Sequence, residues 1–145
     1  MDRIVKKIEE VKDTNNKLVL IIGQPGSGKS KLIHDYSRST GIPIINFNKI
    51  FGEESNNNID LIETMKAFIK NYNQDVMLLD NKRILYSKNS KIDLLSFLKD
   101  LSQDKIIVAT WNGKIEDGQL IHIRSKAPDD LIYSVDKEDI HYILC

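Results

Sequence analysis

Ile4, Val5, Ile8 and Val11 recur at helical spacing between charged residues, so residues 2–12 read as an amphipathic helix. Thr14-Asn15-Asn16 breaks that rhythm, and Leu18–Ile22 follows as a continuous apolar run closed by glycine, the pattern of a buried parallel strand. After a glycine-rich turn, Leu32, Ile33 and Tyr36 mark one face of a short helix, with Gly41 placed to cap its end. Ile42–Phe47 reads as a second strand, residues 52–58 as a polar loop, and the apolar positions from Ile59 to Tyr72 as a helix face. Val76–Leu79 is a third buried strand, ending in Asp80. Ser90-Lys91-Ile92-Asp93 has the form of a capping box ahead of Leu94, Leu95, Leu98 and Leu101. Ile106–Trp111 is a fourth strand, which Asn112-Gly113 is expected to close as a turn or as part of a site. In the tail, Leu120–Ile123, Leu131–Val135 and Ile140–Leu144 are strand-like, and at least one should join the sheet. Strand and helix alternate from residue 18 to 111, which predicts an α/β fold with a mainly parallel sheet in one domain, residues 1–145.

Composition narrows this picture. With 145 residues, 41% apolar and 29% charged, the chain has the balance of a globular domain able to bury one core. No apolar run approaches the roughly 20 residues of a spanning helix, so no membrane association is expected. The first twelve residues mix both charges and lack the apolar stretch of a secretion signal. The single cysteine, Cys145, excludes an internal disulfide, which fits a cytoplasmic protein. Basic and acidic residues number 21 each, so nothing indicates direct nucleic-acid contact, although a local basic patch is compatible with it.

The chemistry concentrates in Gly23-Gln24-Pro25-Gly26-Ser27-Gly28-Lys29-Ser30, which fits G-x-x-x-x-G-K-[ST]. Glycines let the backbone curl so that successive N–H groups point at phosphate oxygens, and the following helix adds the positive end of its dipole. In that arrangement Lys29 reaches the β- and γ-phosphates and the Ser30 hydroxyl ligates magnesium. The expected ligand is therefore ATP with Mg2+, in a P-loop NTPase three-layer sandwich.

Such a site needs a carboxylate at the end of a neighbouring strand to help hold magnesium, and Asp80 supplies it. Many ATPases of this class place glutamate next, to polarise the attacking water. Here Asn81 stands there, and an amide orients a water without accepting its proton. Hydrolysis by the chain alone is thus expected to be slow, or to depend on a partner. Asn112 ends the fourth strand where, in P-loop ATPases with an additional central strand, an Asn or Thr contacts the γ-phosphate or the lytic water. Thr110 is the lesser candidate for that role, and a tight turn at Asn112-Gly113 is the alternative. Arg83 and Arg124 read as surface residues before they read as arginine fingers. The three histidines lack metal-ligand spacing, and Trp111 reads as packing rather than base stacking.

Taken together, the P-loop, Ile45-Asn46-Phe47-Asn48, Leu78-Leu79-Asp80-Asn81 and Ala109-Thr110-Trp111-Asn112-Gly113 resemble the BrxF family, the P-loop proteins of the BREX phage-defence system. The resemblance runs over almost the whole chain. It implies a component of a bacterial or archaeal defence complex with other defence-system proteins as partners, phosphate binding at residues 23–30 and magnesium coordination at Asp80. Lys82 and Arg83 depart from it, standing where apolar and acidic residues are expected.

Three functions compete on these grounds. The first is an AAA+/ASCE-like minimal core without a helical lid, acting as an ATPase that forms a homo-oligomer on nucleotide binding. The second is a module that binds nucleotide without turnover, which Asn81 keeps open because a missing base slows chemistry without harming binding. The third, a small-molecule or nucleotide kinase, is disfavoured by the presence of only Arg3, Arg38, Arg83 and Arg124 to clamp a transferring phosphoryl group.

Overall fold

The computed structural model describes residues 2–24, 26–46, 67–68, 70–80, 94–122, 131–134 and 140–145. Over these the chain is an α/β fold built on a mainly parallel sheet. The elements are α1 (Asp2–Val11), β1 (Leu18–Gly23), α2 (Lys29–Thr40), β2 (Ile44–Asn46), β3 (Val76–Asp80), α3 (Leu94–Leu101), β4 (Ile106–Glu116), β5 (Gln119–His122), β6 (Leu131–Ser134) and β7 (His141–Leu144). The parallel strands run in the order β2-β3-β4-β1-β7, so β4 lies between β1 and β3 although it follows both in sequence.

The period-two alternation of a strand explains how β1 organises the interior. Leu18, Leu20 and Ile22 face one core, shared with Leu95, Leu98 and Leu101 of α3 and with Trp111 of β4. Val19 and Ile21 face the other, shared with Ile4, Ile8 and Val11 of α1 and Ile33 and Tyr36 of α2. Both faces of β1 are fully covered, which is why its sequence is apolar throughout rather than alternating. The helices therefore form layers on the two sides of the sheet.

Several boundaries match the sequence reading. Gly41 ends α2 in the left-handed region at φ 76°, and its N–H donates to the Ser37 carbonyl at 2.9 Å. The second strand begins later than expected, at Ile44 after Pro43, and Phe47, its expected end, lies outside the described residues. Of the helix expected from Ile59 to Tyr72, Ala67, Phe68 and Lys70 are helical; its earlier part and the capping box at Ser90–Asp93 lie outside the described residues.

One boundary is corrected. Asn112-Gly113 does not turn the chain, because β4 continues through both residues to Glu116 and pairs antiparallel with β5. The turn is Asp117-Gly118, with both φ values positive (54° and 75°), as a two-residue hairpin turn requires. Gly113 serves a different need. A Cβ there would stand 1.8 Å from the Ile121 carbonyl oxygen, so only glycine lets the two strands approach. Trp111, fully buried, donates its indole N–H to the same carbonyl at 3.3 Å. It packs in the core, as expected.

Among the tail strands, β7 joins the parallel sheet beside β1, while β5 and β6 extend β4 as an antiparallel ribbon. No helix among the described residues is long and apolar enough to cross a membrane.

Candidate functional site

β1 delivers the chain to the loop at the C-terminal edge of the parallel sheet, and α2 carries it away. Gly23 is the last residue of β1, where a Cβ would crowd Ser27 Oγ to 2.2 Å. The Gln24 carbonyl then accepts the Ser27 N–H at 3.0 Å, closing a turn. Gly26 and Gly28 take φ values of +84° and +100°, which residues with a Cβ rarely adopt. Gly28 stands at the N-cap of α2 and, lacking a side chain, makes no side-chain cap bond to the first helical turn. Gln24, Gly26, Ser27 and Gly28 are all exposed, so the loop presents its backbone to solvent. Pro25 lies outside the described residues.

Beneath the loop the charge is arranged differently. Lys29 is only 7% exposed, and its ammonium donates back to the Gln24 carbonyl at 2.9 Å. Burial pushes this lysine below its ordinary pKa, with Cys145 and Asp80 acting in the opposite direction. Its direct partner is thus a neutral carbonyl, while the Asp80 carboxylate acts on it through space.

Ser30, exposed on the first turn of α2, donates to Asp80 Oδ2 at 3.1 Å. The other carboxylate oxygen, Oδ1, accepts from Thr110 Oγ1 at 2.8 Å. Asp80 is 8% exposed and Thr110 5%, so this second bond is buried. The carboxylate is thereby fixed from two sides: β4 holds one oxygen and α2 meets the other. Register sets this up, since β3 and β4 pair as far as Leu79 with Ala109, placing Asp80 and Thr110 one step further along the same edge.

The donor set can be tested for magnesium. An octahedral Mg2+ with oxygen bonds of about 2.0–2.1 Å places neighbouring ligands about 3 Å apart. The Ser30–Asp80 separation matches that edge, and both donors are the hard oxygens this ion prefers. The residues present fit the ion.

No family model, curated protein or solved structure matches the chain. What the site can do is therefore read from its own residues.

Of the residues expected from the sequence, Gly23, Gln24, Gly26, Ser27, Gly28, Lys29, Ser30 and Asp80 stand together at one end of the sheet. Asn112 is half-buried and stands directly opposite Gly23 in the β1–β4 register, level with the start of the loop. Asn81 lies outside the described residues. Thr110, expected at most as a phosphate contact, turns its hydroxyl to Asp80 instead. Sequence reasoning offered only its place two residues before Asn112, and no local signal ties it to a carboxylate 30 positions away.

Proposed function

We propose that this protein binds ATP with Mg2+ through residues 23–30 and Asp80, and acts as a slow or partner-activated ATPase subunit of a bacterial phage-defence complex. The observation that carries the nucleotide reading is the 3.1 Å contact between Ser30 and Asp80, made across 50 residues beneath a G-x-x-x-x-G-K-S loop. Chance occurrence of the motif does not account for a carboxylate arriving at its serine. Placement of β4 between β1 and β3 supports the additional-strand P-loop layout, and with it the AAA+/ASCE-like minimal core. The defence context rests on the order and spacing of the Asp80-Asn81 pair and the Trp111-Asn112-Gly113 triplet.

In this reading the loop N–H groups and the dipole of α2 hold the phosphate chain, and Lys29 exchanges its bond to Gln24 for phosphate oxygens. Ser30 and Asp80 would hold the ion, which would supply neutralisation of the negative charge on the phosphates. Asn112, beside the loop, meets the γ-phosphate or the attacking water. Asn81 orients water without taking its proton, so turnover waits on a base from elsewhere.

The test is binding of Mg-ATP by calorimetry together with phosphate release, using Lys29→Ala as control. Micromolar binding that disappears in the variant, with slow release, is expected. A wild-type chain that binds no Mg-ATP would sink the proposal, and fast turnover by the isolated chain would remove the need for a partner.

A further inference from the structure

A cleft of about 350 Å³ opens beside the loop, between the start of α1, the first turns of α2 and the end of β7. Resting on the nucleotide reading above, we propose that this cleft takes the nucleoside end of the triphosphate, with Arg3 of α1 and Leu144 of β7 as its outer wall. The direction follows from strand order. Asp80 and Asn112, which mark the terminal-phosphate end, lie on β3 and β4, on one side of β1. β7 pairs with β1 on the opposite side. A triphosphate curled in the loop with its γ end toward Asp80 therefore points its nucleoside toward β7 and α1, where the cleft begins at Ser27 and Gly28.

The lining has the chemistry for a flat heterocycle. Leu144, 52% exposed at the cleft, is one of two large apolar residues left exposed among those described, and with Leu32 it offers a non-polar surface. Arg3 donates one N–H to the Leu144 carbonyl at 2.8 Å, which ties α1 to β7 and holds the guanidinium at the rim. A guanidinium has five donors and a planar face that stacks on aromatic rings. Asp35 stands at the outer end with its two oxygens already accepting from Lys31 and Arg38, so it adds polarity there rather than a free acceptor. The volume lies at the small end of the roughly 300–1,000 Å³ typical of ligand sites, as suits one nucleoside.

The experiment compares Mg-ATP with Mg-tripolyphosphate, which has the phosphates and no nucleoside, on the full chain by calorimetry. Arg3→Ala and Leu144→Ala are each expected to weaken Mg-ATP binding by about tenfold while tripolyphosphate affinity stays within about twofold of wild type. Equal weakening of both ligands, or of neither, overturns the assignment. Photolabelling of the unaltered protein with 8-azido-ATP provides a measurement independent of either variant's folding. Label within residues 2–11 or 141–145 is expected, and label confined elsewhere overturns the cleft. A wild-type chain that binds neither ligand strikes the loop reading itself, whereas tripolyphosphate binding lost in Lys29→Ala preserves that reading whatever the cleft does.

Discussion

At the scale of single residues, the site stores an unfavourable charge and a fixed one. Lys29 titrates below the ordinary lysine value of 10.5 because burial penalises its charge. In the pH window between its folded value and 10.5 the folded chain binds fewer protons than the unfolded one, so stability rises with pH there; below that window the cost is complete. Lys29→Met removes the charge and keeps the packing. The variant is expected to melt higher than wild type at pH 7 without ligand, with the gap closing toward pH 10.5. Calorimetric melting across that range checks both parts, and a variant that melts lower at every pH contradicts the account. Asp80 presents the complementary case. Thr110→Val deletes the hydroxyl that donates to Oδ1 of this nearly buried carboxylate. The Mg2+ concentration for half-maximal ATP binding is expected to rise by about five- to tenfold, with binding in EDTA unchanged and Thr110→Ser close to wild type. A Thr110→Val protein with wild-type Mg2+ dependence would show that the bond is structural only.

At the scale of elements, the continuation of β4 past the sheet is the informative feature. Asn112-Gly113 has the composition of a turn, yet β5 folds back along it and the true turn falls at Asp117-Gly118. Gly113→Ala puts a methyl carbon against the Ile121 carbonyl, so the ribbon must open and Trp111 must give up its bond to that oxygen. A loss of about 2–4 kcal/mol is expected by urea denaturation, the range of overpacking combined with a broken, partly buried hydrogen bond. Trp111 is the single tryptophan, so its fluorescence reports the local change directly. An emission spectrum and midpoint matching wild type would mean that the strands separate at little cost. Legibility varied between elements for a physical reason. The turn within residues 23–30 was readable because its conformation is set by φ at Gly26 and Gly28, a local property. The fate of Asn112-Gly113 was not, because it depends on Ile121, which no local rule connects to it.

For the whole molecule, ligand and assembly are the relevant equilibria. A chain with equal numbers of acidic and basic residues has little net repulsion to oppose self-association. On the proposed function, nucleotide at the exposed loop would offer a surface that a second copy can complete. Light scattering is expected to show a larger species with Mg-ATP, absent with Lys29→Ala; a monomer under both conditions would assign the site to a partner protein instead. Mg-ATP at about 100 times its dissociation constant should also stabilise the fold by about 2.7 kcal/mol.

What the amino-acid sequence determined by itself is whatever short-range geometry dictates: the strand–loop–helix around residues 23–30, the apolar runs of β1 and β3, the Gly41 cap and the α/β class. These depend on backbone torsions and on the period of apolar positions, both of which are properties of neighbouring residues. Only the tertiary structure decided the rest. Insertion of β4 between β1 and β3 brought Thr110 to Asp80 and Asn112 level with Gly23. Parallel pairing of β7 with β1 carried Leu144 to Arg3, at the other end of the chain. Strand order is a choice among packings of similar apolar elements, made by which faces bury each other best. It is therefore a property of the assembled core, and the contacts it creates have no signature in any short stretch of sequence.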